Sequence, residues 1–147
     1  MITADQYFKG REHSAEQETL ADDLLSRVNA LIAKYEKDTG NEVPQHSHTN
    51  SRIAPAGSKD LDQVSGIHEG GFRFPDCPQG SLHSSHKILD GKGAGVDVYD
   101  PDNEFDDWIT DEVLEEFGLY REHPDSTDTW CHLTNRSPNS GHRTFFP

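Results

Sequence analysis

Two histidines and an aspartate dominate the chemistry this chain of 147 residues can offer. They are His86 in Ser84-Ser-His86, Asp97 in Gly95-Val-Asp97 and His132 in Trp130-Cys-His132. Neutral imidazole nitrogen and carboxylate oxygen are zinc-ligand atoms, and a catalytic zinc site uses three protein ligands while keeping a fourth position open. A histidine on a loop, an aspartate on the next strand and a histidine on a neighbouring strand converge on one ion if those strands pair side by side. Spacing alone leaves a plainer alternative open, in which the nine histidines of an acidic chain are mostly solvated and Asp97 caps a turn or pairs with a lysine.

The elements that must position these groups can be read from periodicity. Leu20, Leu24, Val28, Leu31 and Tyr35 recur at three- and four-residue steps. With Ser14 and Gln17 as a capping box and Asp38-Thr-Gly40 as a stop, they predict an amphipathic helix over residues 14–37. Gly95-Val-Asp-Val-Tyr99 alternates as a strand does, with Val96 and Val98 on one face and Asp97 and Tyr99 on the other. Phe105, Trp108, Ile109, Val113 and Phe117 predict a second helix over residues 103–117, with a break near Thr110 and a stop at Gly118.

Residues 129–134 read as another short strand, in which Cys131 points away from His132 and into packing. Residues 41–79 are rich in Gly, Pro, Ser and His, with short extended pieces at Arg52-Ile53 and Gly71-Phe-Arg-Phe74; such long irregular stretches are often functional. Residues 135–147 are turn-rich with an aromatic end. Assembled, these readings predict one α+β domain over residues 1–147. It has a small, mostly antiparallel sheet bearing Asp97 and His132, two main helices packed against it, and loops from about 41 to 92 walling a cleft.

Composition narrows the function classes. Twenty-seven acidic against thirteen basic residues give a formal charge of -14, which repels phosphate backbones and anionic membrane surfaces, so neither nucleic acid nor membrane is expected as a partner. An apolar share of 31% and a mean hydropathy of -0.86 predict a small core and much loop. The opening Met-Ile-Thr-Ala-Asp-Gln-Tyr7 turns polar at once and no long apolar run follows, so no signal peptide is expected. Cys77 and Cys131 are too few for a disulfide framework and are expected as free thiols. His46-x-His48 reads as an exposed loop, and His83 as a loop residue or a spare ligand. Asp100, Asp102, Glu104 and Asp106 alternate like a calcium loop, but Phe105 stands where such a loop needs glycine. An acidic helix start explains that run better.

The ordered set Gly71-Phe-Arg73, Ser84-x-His86, Gly93-x-Gly-x-Asp97 and Trp130-x-His132 resembles the zinc peptidases of the D-alanyl-D-alanine carboxypeptidase and L-alanyl-D-glutamate endopeptidase family, which have the hedgehog/DD-peptidase fold. Tyr7-Phe-x-Gly-Arg11, Val28-Asn-x-Leu31, Asp97-Val-Tyr-Asp-Pro101, Glu122-His-Pro124 and Ser140-Gly-x-Arg-Thr-Phe-Phe-Pro147 look like its short phage-encoded members, so the likeness covers nearly the whole chain. It implies that His86, Asp97 and His132 hold Zn2+ and that Arg73 holds the substrate's carbonyl or carboxylate. Ser84 and Trp130 would support and wall the site. It also implies a peptidoglycan stem peptide as substrate, phage tail or capsid proteins as further partners, and a place in a phage virion or the host cytoplasm.

Two departures accompany the likeness. Ten residues, Lys87 through Val96, separate His86 from Asp97, about four more than is usual in the family; loop length is entropically inexpensive. Active members carry a glutamate three positions before the last histidine as the proton acceptor, and Thr129 stands there instead. The candidates to replace it are Asp128, next to Thr129, and Glu122, with His123, on an expected loop before the strand. The resemblance therefore implies either a hydrolase of amide bonds involving a D-residue or a non-catalytic zinc-binding structural or docking protein of the virion. Metal-free recognition of a peptide or sugar stands as a third reading.

Overall fold

Thr3 and Ser14 open two helices with the same device. Each side-chain oxygen accepts the backbone N–H three residues on, and Gln6 or Gln17 reaches back to the cap's own N–H. The computed structural model describes residues 1–55, 69–77 and 81–147. In it α1 spans Ala4–Phe8 and α2 spans Ala15–Thr39. Gly40 ends α2 at φ 75°, a left-handed conformation that glycine takes without steric cost. The stripe foreseen on α2 is its buried face: Ala21, Leu24, Leu25, Val28, Leu31, Ile32 and Tyr35 all lie in the core. Truncating one such side chain, as in Leu24→Ala, typically costs about 2–5 kcal/mol.

The remaining elements are β1 (Gly95–Tyr99), α3 (Glu104–Trp108), α4 (Asp111–Phe117), β2 (Tyr120–Glu122), a 3-10 turn (Pro124–Ser126), β3 (Trp130–Thr134) and β4 (Thr144–Phe145). They build one four-stranded sheet in the order β1-β3-β2-β4. β3 runs antiparallel to both β1 and β2, and β2 pairs parallel with β4, so the architecture is α+β with a mostly antiparallel sheet. Val96, Val98, Cys131 and Leu133 are buried in the same core as α2, which turns the alternate side chains of β1 and β3 to the opposite face. β1 is no bare edge, because Ala54 N–H donates to the Asp97 carbonyl, Tyr99 N–H to Arg52 and Asp97 N–H to Gly70.

The break foreseen near Thr110 divides the second helix in two, because Ile109 and Thr110 are extended and Thr110 caps α4 through Val113 N–H. Other expectations change. Glu122 belongs to a strand rather than a loop, and the tail contributes β4. Residues 71–74 form no strand, although Phe72 N–H donates to Tyr7 and Arg73 N–H to His86. Residues 56–68 and 78–80 of the expected irregular region lie outside the described residues. Cys77 and Cys131 are both buried, and neither forms a disulfide. Among the described residues no helix is long and apolar enough to cross a membrane.

Candidate metal centre

Strand register sets the centre. Asp97 on β1 faces His132 on β3, and two residues along Tyr99 faces Trp130. β2 continues the row on the other side of β3: Arg121 is opposite Leu133, so one more step of the same register brings Glu122 beside His132. Glu122 is in turn opposite Phe145 of β4. One line of side chains across the sheet therefore reads Asp97, His132, Glu122, Phe145, all on the face turned away from the helices and all lining one cleft of about 550 Å3.

His86 enters this cleft from the preceding loop. Its Nδ1–H donates to the Gly71 carbonyl at 2.9 Å, which leaves the Nε2 lone pair directed at Asp97 Oδ1, 3.3 Å away. His132 uses its other nitrogen: Nδ1 lies 2.7 Å from Asp97 Oδ1, while Nε2 is 3.4 Å from Ser85 Oγ. Both imidazoles thus have one nitrogen held by the protein and one aimed at a shared carboxylate, the usual second-partner arrangement of histidine ligands. One ligand atom from each of His86, Asp97 and His132 lies within 4.8 Å of the others. Ligand atoms around a tetrahedral ion with bonds of about 2.05 Å stand roughly 3.3 Å apart. The donor set and spacing fit a metal ion, and this buried group could hold one.

Electrostatics agree with that use. Burial pushes the His86 imidazole down to about 4, with the nearby Arg73 cation adding to it, so its lone pair is free at neutral pH. Burial also works against charge on Asp97 and His132. The two imidazoles nevertheless hold the Asp97 carboxyl well below the carboxylate range, and the Asp97 hydrogen bond and charge hold His132 above its ordinary value.

Gly70 is what lets Asp97 sit so deep. A Cβ at Gly70 would stand 2.6 Å from Asp97 Cβ and 2.8 Å from its carbonyl oxygen.

No family model, curated protein or solved structure matches the chain. The site is therefore read from its own geometry. Arg73, buried beside the cluster, has a guanidinium nitrogen 3.7 Å from Asp97 Oδ2 and donates through Nε to the Glu69 carbonyl. Glu69 is itself buried and paired with Lys9 at 3.2 Å. Glu122 lines the same cleft; burial raises its carboxyl, His132 opposes, and the charges of Asp97 and Asp106 raise it further.

The Arg121 guanidinium secures β2 through the buried Asp106, donating to its carbonyl at 2.6 Å and to Oδ1 at 2.9 Å. That anchor holds Arg121 on one face and so leaves its neighbour Glu122 on the other.

The other named residues fall elsewhere. Asp128 is exposed and does not line the cleft. Thr129 takes φ +75° and lines a smaller pocket on the far side of Trp130. His123 caps the 3-10 turn through Asp125 N–H and stacks on Phe146. Ser84, His83 and Trp130 line the cleft. His46 and His48 stack on one another near Tyr99. Sequence reasoning missed Ser85, Arg136 and Phe145 as cleft walls. Arg136 had no strand pattern to mark it, and it reaches the cleft by donating to the His83 carbonyl and pairing with Asp90.

Proposed function

We propose that this chain is a zinc-dependent peptidase-like protein of the hedgehog/DD-peptidase type, hydrolysing an amide bond in peptidoglycan stem peptides. The observation that carries the reading is the row of Asp97, His132 and Glu122 across three adjacent strands, with His86 and Arg73 in the same cleft. A ligand set of two histidines and one carboxylate is accompanied by a separate carboxylate that is not needed as a ligand, and by an arginine able to meet developing negative charge.

A bound zinc supplies Lewis acidity that polarises a carbonyl and acidifies water. Glu122 supplies proton transfer: a partly buried carboxylate with a raised pKa is suited to take a proton from an attacking water and return it to the departing amine. In this reading Glu122 fills, from the neighbouring strand, the role that Thr129 cannot. Arg73 donates to the carbonyl oxygen as it gains charge, or grips a substrate carboxylate. Its Nε bond to the Glu69 carbonyl fixes the guanidinium plane beside Asp97.

The second reading, a zinc-binding structural or docking protein of a virion, is favoured by Thr129 at the position of the family's glutamate. The experiment combines metal analysis of purified protein with mass spectrometry of muropeptides after incubation. The expected results are stoichiometric zinc lost in His86→Ala and His132→Ala, and cleavage reduced about 100-fold or more in Glu122→Gln with zinc content unchanged. Asp128→Asn is expected to cleave normally. Folded protein that takes up no zinc, or that selects iron, refutes the metal assignment. Zinc-loaded protein that cleaves no stem peptide leaves the structural reading in its place.

A further inference from the structure

Beyond Trp130 the sheet face continues into a second, smaller pocket of about 110 Å3. It is bounded by His46, Ala54, Tyr99, Pro101 and Thr129, and it shares Pro55 and Trp130 with the metal cleft. We propose that this pocket is a side-chain subsite, taking one small uncharged aliphatic group of a peptide held in the metal cleft. The proposal rests on the peptidase reading above and adds to it what the substrate must carry.

Three independent features support it. First, among the described residues none that lines the pocket carries a full charge. The one titratable ring close to neutrality, His46, is held below its ordinary value by burial and by the neighbouring His48. Seating a carboxylate or ammonium there would leave it unpaired, whereas the rest of the chain's surface is strongly acidic. Second, the size is selective. An apolar cavity of roughly 150 Å3 accepts a benzene ring, so 110 Å3 suits an aliphatic group of one to four carbons and not an aromatic side chain. The Tyr99 ring, met edge-on by His46 at 4.8 Å between centroids, and the Trp130 wall offer it flat apolar contact.

Third, the pocket retains strained backbone. Thr129 is β-branched and takes φ +75°, a conformation such residues rarely adopt and one that concentrates at functional sites. It is pinned at both ends: its N–H donates to Asn103 Oδ1 at 3.2 Å and its carbonyl accepts from Asp100 N–H at 3.0 Å. The effect is to turn Thr129 into this pocket just before β3 begins.

Trp130 is two residues from His132 along β3, roughly 7 Å. An extended peptide lying along the sheet with its scissile group at His132 brings a side chain to Trp130 within one or two residues.

The test is a nitrogen-15 NMR titration of the full chain, metal-free and zinc-loaded, with N-acetyl amides of glycine, valine, phenylalanine and aspartate. Trp130 and Trp108 supply two indole N–H signals, the second serving as an internal control. The expected result is that the valine amide shifts Trp130 and Thr129 but not Trp108, and binds at least tenfold tighter than the glycine, phenylalanine or aspartate amide. His46→Ala, which removes a half-exposed wall, is expected to lower valine-amide affinity at least fivefold. Equal shifts from all four amides, or a Trp130 signal that none of them moves, overturns the subsite.

Zinc content and stem-peptide cleavage are read on the same preparation. A selective valine-amide response in protein that takes up no zinc supports the pocket and counts against the peptidase reading alone.

Discussion

Zinc binding at pH 6 is expected to displace one proton from the protein, not two and not none. Both ligating nitrogens must be unprotonated to bind metal, so the number released equals the number they hold beforehand. Asp97 contributes nothing, since its carboxyl is held well below the carboxylate range. His86 also contributes nothing, because burial and Arg73 push it down to about 4. His132 is raised above 6.5 by Asp97, 2.7 Å from its Nδ1, and therefore carries most of a proton at pH 6. Below the His132 value, apparent zinc affinity is expected to fall about tenfold per pH unit, or about 1.4 kcal/mol. Isothermal titration calorimetry in two buffers of different protonation enthalpy reads the number directly. Release of two protons at pH 6 would show that His86 is charged in its buried site. Release of none would show that the His132 contact with Asp97 is not an ion pair, and the electrostatic account of the centre would fall.

Three further outcomes follow from the same geometry. The His86 value of about 4 lies below the unfolded 6.5, so stability present above 6.5 is lost as pH falls toward 4. The His86 contribution to urea unfolding is expected to be about 2–3 kcal/mol smaller at pH 4.5 than at pH 7, read as the difference in pH dependence between the wild type and His86→Leu; equal pH dependence in both proteins contradicts this. Gly70→Ala drives a methyl against Asp97, with an expected stability cost of about 1–3 kcal/mol and weaker zinc binding; unchanged zinc affinity would show that Asp97 need not sit at this depth. Asp106→Ala strips the buried partner from Arg121, a loss of about 3–5 kcal/mol by denaturant unfolding, and a cost under 1 kcal/mol would show that β2 is anchored otherwise.

How far the chain could be read in advance depended on element length. Ser14, Gln17 and the stripe from Leu20 to Tyr35 span about six turns, so the period of α2 is unmistakable and only its last residues escape the pattern. β1 offers five alternating residues and was placed at its observed bounds. The pairing of β1 with β3 follows from neither segment alone, yet both carry an apolar face that must meet the same core, and that requirement points Asp97 and His132 to the same side.

β2 and β4 are another matter. Three and two residues contain no detectable alternation, and their strand character comes from hydrogen bonds to partners far along the chain. Glu122 stands out by its chemistry alone, and nothing local in the sequence marks its strand. Thr129 shows the converse: counting back from His132 finds the position, but the positive φ there depends on Asn103 and Asp100, which no local pattern announces.

The unequal lengths of these strands also have a kinetic consequence. Asp97 and His132 belong to a five-residue ladder whose outer edge is covered by backbone from residues 52–54 and 70. Glu122 ends a three-residue strand whose outer neighbour has two residues. Segments with few paired amides open far more often than the fold as a whole. Amide protons of β2 and β4 are therefore expected to exchange with solvent faster than those of β1 and β3. In each such opening the three metal ligands stay assembled while the carboxylate beside them departs, so the lifetime of the metal centre and the lifetime of the proton acceptor are set by different parts of one sheet.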